Sequence, residues 1–186
     1  MEHKITIFSI IISLALALSS CMDDDLRPIT EFASSHDGVF IPCEGNFMYG
    51  NASLSYYDKT NKTVENQVFY RANGLPVGDV LQSVALRDSL AYLVVNNSGK
   101  IYVINKDNFK YSAKITDFVS PRYICFAASK AYVTDMYSRA IYVVNPRTNS
   151  IEKSISVDDG SGEQIVVRKE EEGDEHHRED GYQHVA

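Results

Sequence analysis

Histidine is missing from the whole stretch between His36 and His176. A Ser-His-Asp arrangement therefore has no candidate base there. No Gly-rich phosphate loop and no GxGxxG occurs, so nothing points to a nucleotide. Lysine and arginine form no cluster, and the formal net charge is -7 over 186 residues. That balance argues against nucleic acid as a partner. Cysteine is scarce, at three residues. Cys43 and Cys125 lie inside apolar strand-like runs and read as two free thiols rather than a bridge. The apolar stretch from Ile5 to Leu18 falls short of the roughly 20 residues that a membrane-spanning helix needs.

That stretch has the form of a signal peptide, with Lys4 before it and small residues after it. Leu18-Ser19-Ser20-Cys21 resembles a bacterial lipobox. The resemblance implies cleavage after residue 20 and a lipid-modified Cys21, which anchors a protein without spanning the bilayer. Met22-Asp23-Asp24-Asp25 resembles the surface-export signal of Bacteroides-like lipoproteins. It implies an outer-membrane protein, lipid-anchored on the cell surface. Residues 21–37 read as an acidic tether, with Pro28, Ser34 and Ser35 and no sustained apolar period.

The informative feature is a repeat. AYLVVNNSGKIYVIN at 91–105 returns as AYVTDMYSRAIYVVN at 131–145. A period of 40 lies within the range of about 40–50 residues for propeller blades. Valine, isoleucine and tyrosine dominate short runs split by Asn, Asp, Gly and Pro, which is strand chemistry. One unit reads as strands over 81–86, 91–95, 100–105 and 111–115. The next covers 122–126, 131–134, 140–144 and 152–157. A looser first copy has three strands, over 38–45, 53–59 and 64–70, and lacks a first strand. The expected fold is all-β: propeller blades of four antiparallel strands in an incomplete ring over 38–167. Such a blade has two apolar faces and is stable only between neighbours.

The blade phrase resembles the YVTN/YncE-like β-propeller family. GVFIPCEGNFMYGNASLSYYD (38–58) and NGLPVGDVLQSV (73–84) are similar to the opening of YncE-like surface lipoproteins of Bacteroidales, the BtuG-like group. That resemblance implies a binding module that captures a nutrient such as a corrinoid (cobalamin) for a TonB-dependent outer-membrane transporter, with no cofactor of its own. A structural or adhesive surface propeller that binds protein or glycan is the alternative. A quinoprotein-like propeller enzyme comes third, because no metal carboxylates or base line the blades; the expectation is a non-enzyme.

Residues 162–167, GEQIVV, read as the first strand of a further blade. The next segment, 168–186, is a charged tail expected to be disordered. From Lys169 onward it holds seven acidic and two basic residues, hence -5 of the total charge. His176 and His177 in that tail lack ligand spacing for a metal. A break in the middle of a blade reads as truncation or frameshift of a longer protein. Ligand contacts are expected on one rim of loops, where the family resemblance places Glu44, Asn46, Tyr49, Asn96, Asn97, Arg122, Asp135, Tyr137 and Arg139. Polar groups beside aromatic rings suit a bulky amphipathic ligand. The competing role for the Asn and Asp residues is turn formation.

Overall fold

The computed structural model describes residues 37–157 and 165–167. The expected signal peptide, the expected lipidation at Cys21, the expected tether up to residue 36 and the expected tail over 168–186 lie outside the described residues. The elements in chain order are β1 (Gly38–Cys43), β2 (Ser53–Asp58), β3 (Thr63–Glu65), α1 (Val68–Asn73), β4 (Leu81–Arg87), β5 (Leu90–Val95), β6 (Lys100–Asn105), β7 (Tyr111–Ile115), β8 (Pro121–Ala127), β9 (Lys130–Asp135), β10 (Ala140–Asn145) and β11 (Ser150–Ser156). They form three antiparallel meanders: β1-β2-β3, β4-β5-β6-β7 and β8-β9-β10-β11. Among the described residues no sheet closes on itself. The fold is an incomplete β-propeller of three consecutive blades. Among the described residues no helix is long and apolar enough to cross a membrane.

The repeat is legible in the backbone. The β6–β7 and β10–β11 pairings both shift register, between Val103 and Ile104 and between Val143 and Val144, forty residues apart, with Ser112 and Glu152 as the extra residues. Each third-strand phrase ends in a side-chain-capped turn. Asp58 Oδ1 accepts the N–H groups of Thr60 and Asn61 at 2.8 and 2.9 Å. Asn105 Oδ1 accepts those of Asp107 and Asn108 at 2.9 and 3.1 Å. Asn145 Oδ1 accepts that of Arg147 at 3.0 Å. In all three, the residue four places on is left-handed: Lys62, Phe109 and Asn149 have φ of 56°, 57° and 54°. A short polar side chain that caps its own turn is what Asn and Asp supply. Asp58 is thus the third copy of Asn105 and Asn145, which places β2 as the partner of β6 and β10.

Two cores separate the three blades. Ala91, Leu93 and Val95 of β5 join Leu54, Tyr56 and Phe69 in one. Tyr92, Val94, Ile101 and Val103 join Ile124, Ala131 and Val133 in the other. The alternation along β5 sends successive side chains to opposite faces, so the middle blade is apolar on both. Gly99 makes the tight turn into β6: its φ is +57°, and a Cβ there would lie 2.6 Å from the Phe118 carbonyl oxygen.

The first blade departs from expectation in its last strand, predicted over 64–70. β3 stops at Glu65, Gln67 turns left-handed with φ 52°, and α1 begins at Val68. The helix puts Val68, Phe69 and Ala72 on one buried face, with the Phe69 ring 4.9 Å from that of Tyr102. A strand would have sent Val68 and Phe69 to opposite sides. Gly74, at φ 65°, ends the helix and donates its N–H to the Tyr70 carbonyl. Asn73 then ties α1 to the second blade, donating to the Phe109 carbonyl at 2.9 Å and accepting the Tyr111 N–H at 2.8 Å. Cys43 and Cys125 are both free. Burial pushes the Cys125 thiol up to about 11, so it carries little thiolate at neutral pH.

Candidate functional site

One end of the stack gathers five links: 44–52, 74–80, 96–99, 116–120 and 136–139. They are bonded to one another from blade to blade. Asp79 is the first knot. Its Oδ2 accepts the Met48 N–H at 2.9 Å and the side-chain amide of Asn97. Its own N–H donates to Ser98 Oγ at 3.0 Å. Asn96 is buried and donates Nδ2 to the Pro121 carbonyl at 2.9 Å, which joins the second blade to the third. Ser83 Oγ donates to the Arg122 carbonyl at 2.7 Å across the same boundary.

Asp135 is the second knot. It is fully buried. Its Oδ2 accepts the N–H groups of Val119 and Ser120, both at 2.9 Å. Its Oδ1 accepts those of Tyr137 and Ser138, both at 3.1 Å. Main-chain bonds repeat the bracing: the Asn96 N–H reaches Val80 O, and forty residues on the Met136 N–H reaches Ser120 O, both at 2.8 Å. The result is a rigid end built from irregular chain, the arrangement in which loops most often carry binding residues.

The rim residues expected from sequence divide into two groups. Asn96, Asn97 and Asp135 spend their side-chain polar groups inside the loops. Asp135 supplies the acceptors that the inward N–H groups of two turns need, while the Asn96 and Asn97 amides donate to the Pro121 carbonyl and to Asp79. Glu44, Asn46, Tyr49, Tyr137 and Arg139 are exposed at the rim. Gln82 Nε2 lies 3.5 Å from a Glu44 oxygen, and the Asn46 N–H donates to Asn51 Oδ1 at 2.7 Å. Arg122 is half-buried, with its Nε enclosed and unpartnered.

Three apolar residues of this end were not expected from sequence. Phe47, Met48 and Val119 are all exposed, and with Tyr49 and Tyr137 they form an aromatic and aliphatic crown. The consecutive Phe47-Met48-Tyr49 in a Gly- and Asn-rich link was the available signal, since a link that only turns has no use for three large apolar side chains. Asp79 was also missed, because nothing in a lone Asp before a strand marks it as a knot. Beside the crown, a cavity of about 230 Å³ opens between the 50–54 segment and α1, lined by Gly50, Asn51, Gln67, Tyr70 and Pro76. Among the described residues no group of three or more His, Cys, Asp or Glu could hold a metal ion.

A family model described as a domain of unknown function (DUF5074) matches residues 37–171. The chain belongs to the DUF5074 family. The match runs from the residue before β1 past the last described strand. A search of curated proteins returns no match. Among solved structures, this DUF5074 chain is similar to hydrazine synthase of Kuenenia stuttgartiensis, at 17% identity and a TM-score of 0.50 over 59% of this chain and 31% of that one. It is similar to a chain of the nidogen/laminin complex, at 6% identity and a TM-score of 0.50 over 65% and 43%. The WD40 repeats of RRP9 match at 12% identity and a TM-score of 0.49 over 60% and 34%. The chain thus spans under half the length of each. At such identities the first two likenesses speak to fold alone.

Proposed function

We propose that this DUF5074 chain is a surface lipoprotein whose braced loop end captures a bulky amphipathic nutrient, with a corrinoid as the first candidate, for a TonB-dependent outer-membrane transporter. The observation that carries the binding reading is the crown itself. Phe47, Met48, Tyr49 and Tyr137 stand exposed on links that Asp79 and Asp135 hold rigid. Exposed apolar groups gathered in one patch mark interaction sites in soluble domains. Rigid aromatic contacts also lose little conformational entropy on binding. Glu44, Asn46 and Arg139 beside them supply polar groups for amide-bearing side groups. Lipid anchoring at Cys21 and display on the outer leaflet rest on the lipobox-like and acidic segments of the sequence.

Calorimetric titration with cyanocobalamin tests it. The expected result is saturable binding that Tyr49→Ala and Tyr137→Ala each weaken about tenfold, roughly 1.4 kcal/mol. Absence of saturable heat overturns the corrinoid reading. The adhesive alternative is favoured by the tip of the 44–52 link, where Phe47, Met48 and Tyr49 project together. It predicts that glycans or a surface protein, not corrinoids, respond to the same two substitutions.

A further inference from the structure

The link between the first two blades is longer than the repeat requires. Asp58 precedes β4 at Leu81 by 23 positions, whereas its equivalent Asn105 precedes β8 at Pro121 by 16. The added length contains α1. Additions to a surface link cost a fold little, and in repeat architectures they gather on the face that binds. This one forms a wall of the cavity beside the 50–54 segment.

Three braces hold the walls of that cavity. The Ala52 N–H donates to the Gly78 carbonyl at 3.1 Å, an isolated bridge that pins the 50–54 segment to the link before β4. Asn73 ties α1 to the second blade through Phe109 and Tyr111. Ser55 Oγ donates to Asn66 Oδ1 at 3.0 Å, which fixes the turn into Gln67 against β2. A site whose walls are already braced loses little freedom when a ligand enters.

The lining combines apolar surface with polar groups that the fold leaves unspent. Leu54 and Val77, both buried, supply the apolar part. Asn51, Ser53, Gln67 and Tyr70 supply the polar part. Asn51 Oδ1 is occupied by the Asn46 N–H. The Asn51 amide nitrogen, the Ser53 hydroxyl, the Gln67 amide and the Tyr70 hydroxyl form no hydrogen bond among the described residues. That is the reverse of Asn96, Asn97 and Asp135, whose polar groups are consumed within the loop end.

We propose that this cavity binds one neutral pyranose ring. At about 230 Å³ it exceeds the roughly 150 Å³ that holds one benzene and falls below the roughly 300 Å³ at which sites for larger ligands begin. One ring with its substituents is what fits. Vicinal sugar hydroxyls donate and accept side by side, and the Gln67 amide and the Ser53 and Tyr70 hydroxyls do both. The C–H face of a sugar is apolar and suits Leu54, Val77 and the electron-rich face of the Tyr70 ring, which is 41% exposed. The lining holds no charged residue, which disfavours sugar acids and phosphates, since these are recognised by cationic partners. None of these residues belongs to the crown, so the site goes beyond the proposed capture of a nutrient there and does not rest on it.

Saturation-transfer NMR on the full chain, in a sugar-free detergent, tests the site. The probes are the methyl glycosides of glucose, galactose and mannose, and the same sugars at the ends of oligosaccharides. At least one should give saturable transfer. Tyr70→Ala and Gln67→Gly should each weaken it about fivefold or more, as the loss of one contact implies, while Tyr49→Ala and Tyr137→Ala leave it within about twofold. Gln67 has φ of 52°, where glycine is at ease, so Gln67→Gly removes the amide while its thermal midpoint should match or exceed the parent's. Transfer from the methyl glycosides supports the site with free sugar as the ligand. Transfer from oligosaccharide ends alone supports it with a glycan as the source. No saturable transfer from any probe overturns the proposal. Binding that the crown variants abolish and the Tyr70 and Gln67 variants leave unchanged also overturns it, because the sugar then sits on the crown.

Discussion

The middle blade and the two end blades are built from the same phrase but do not have the same surroundings. β4–β7 is packed on both faces, so every residue of the run from Ala91 to Val95 is buried. Among the described residues β1–β3 and β8–β11 each have one neighbouring blade, and their other faces keep Val39, Ile41, Val64 and Ile155 exposed. The strand sequences are alike, so what differs is the company. A blade draws its stability from the blades on either side, and burial in a repeat array belongs to the interface rather than to the unit.

The sharpest way to break that equivalence is to truncate matched positions. Leu93→Ala in the middle blade should cost about 2–5 kcal/mol, the transfer of its side chain plus the cavity left behind. Ile155→Ala on the open face of the third blade should cost under about 1 kcal/mol, as expected for a surface change. Urea unfolding of the two variants side by side checks this. Equal losses would mean that the open face is covered in solution, and a loss at Ile155 that grows with protein concentration would tie the cover to a second copy.

A smaller effect separates the loop ends. The second blade is braced through Asn96 and Asp79, and the third through the carboxylate of Asp135. Asp135→Ala leaves four inward N–H groups without an acceptor, and should destabilise by about 2–4 kcal/mol. Asp135→Asn retains one acceptor oxygen and should recover part of the loss. If the alanine variant is as stable as the parent, the third blade's loops do not depend on this knot.

These contrasts also explain what could be read from the chain. The period of 40 was legible because each blade must place the same Asn or Asp at the same turn, as at Asn105 and Asn145, and alternate apolar residues between two faces. Within the first blade the equivalence of Asp58 was harder to see, since its offset to Asn105 is 47 rather than 40. The conversion of 68–70 from the expected strand into the start of α1 was not legible: VENQVFY has strand-forming residues, and the packing of Phe69 against Tyr102 favours the helix, a case of tertiary context overriding propensity. On the loop end, sequence identified the rim but not the division of labour. An Asn that caps a turn and an Asn that offers its amide outward are the same letter; Asn96 and Asn46 differ only in burial.

The smallest expected effect concerns the ion pairs of the end blades. Lys59 Nζ meets Asp37 at 2.6 Å in the first blade, and Lys130 Nζ meets Glu152 at 2.5 Å in the third. The hydrogen bond from Lys130, and then that from Asn145, hold the Glu152 carboxyl below its ordinary range. The Asp37 carboxylate, as hydrogen-bond acceptor, raises the Lys59 ammonium above its own. A depressed carboxyl stabilises the fold above its unfolded-state titration, and that contribution disappears as pH falls through the folded-state value. Both pairs are solvent-screened, and such pairs contribute little. Lys130→Met should therefore leave the unfolding midpoint at pH 7 within error while moving the Glu152 titration, followed by carboxyl-carbon NMR, up toward an ordinary glutamate. A marked loss of stability instead would mean that the pair pins β9 to β11 across β10, and that the end blade relies on its charges for what the middle blade obtains from burial.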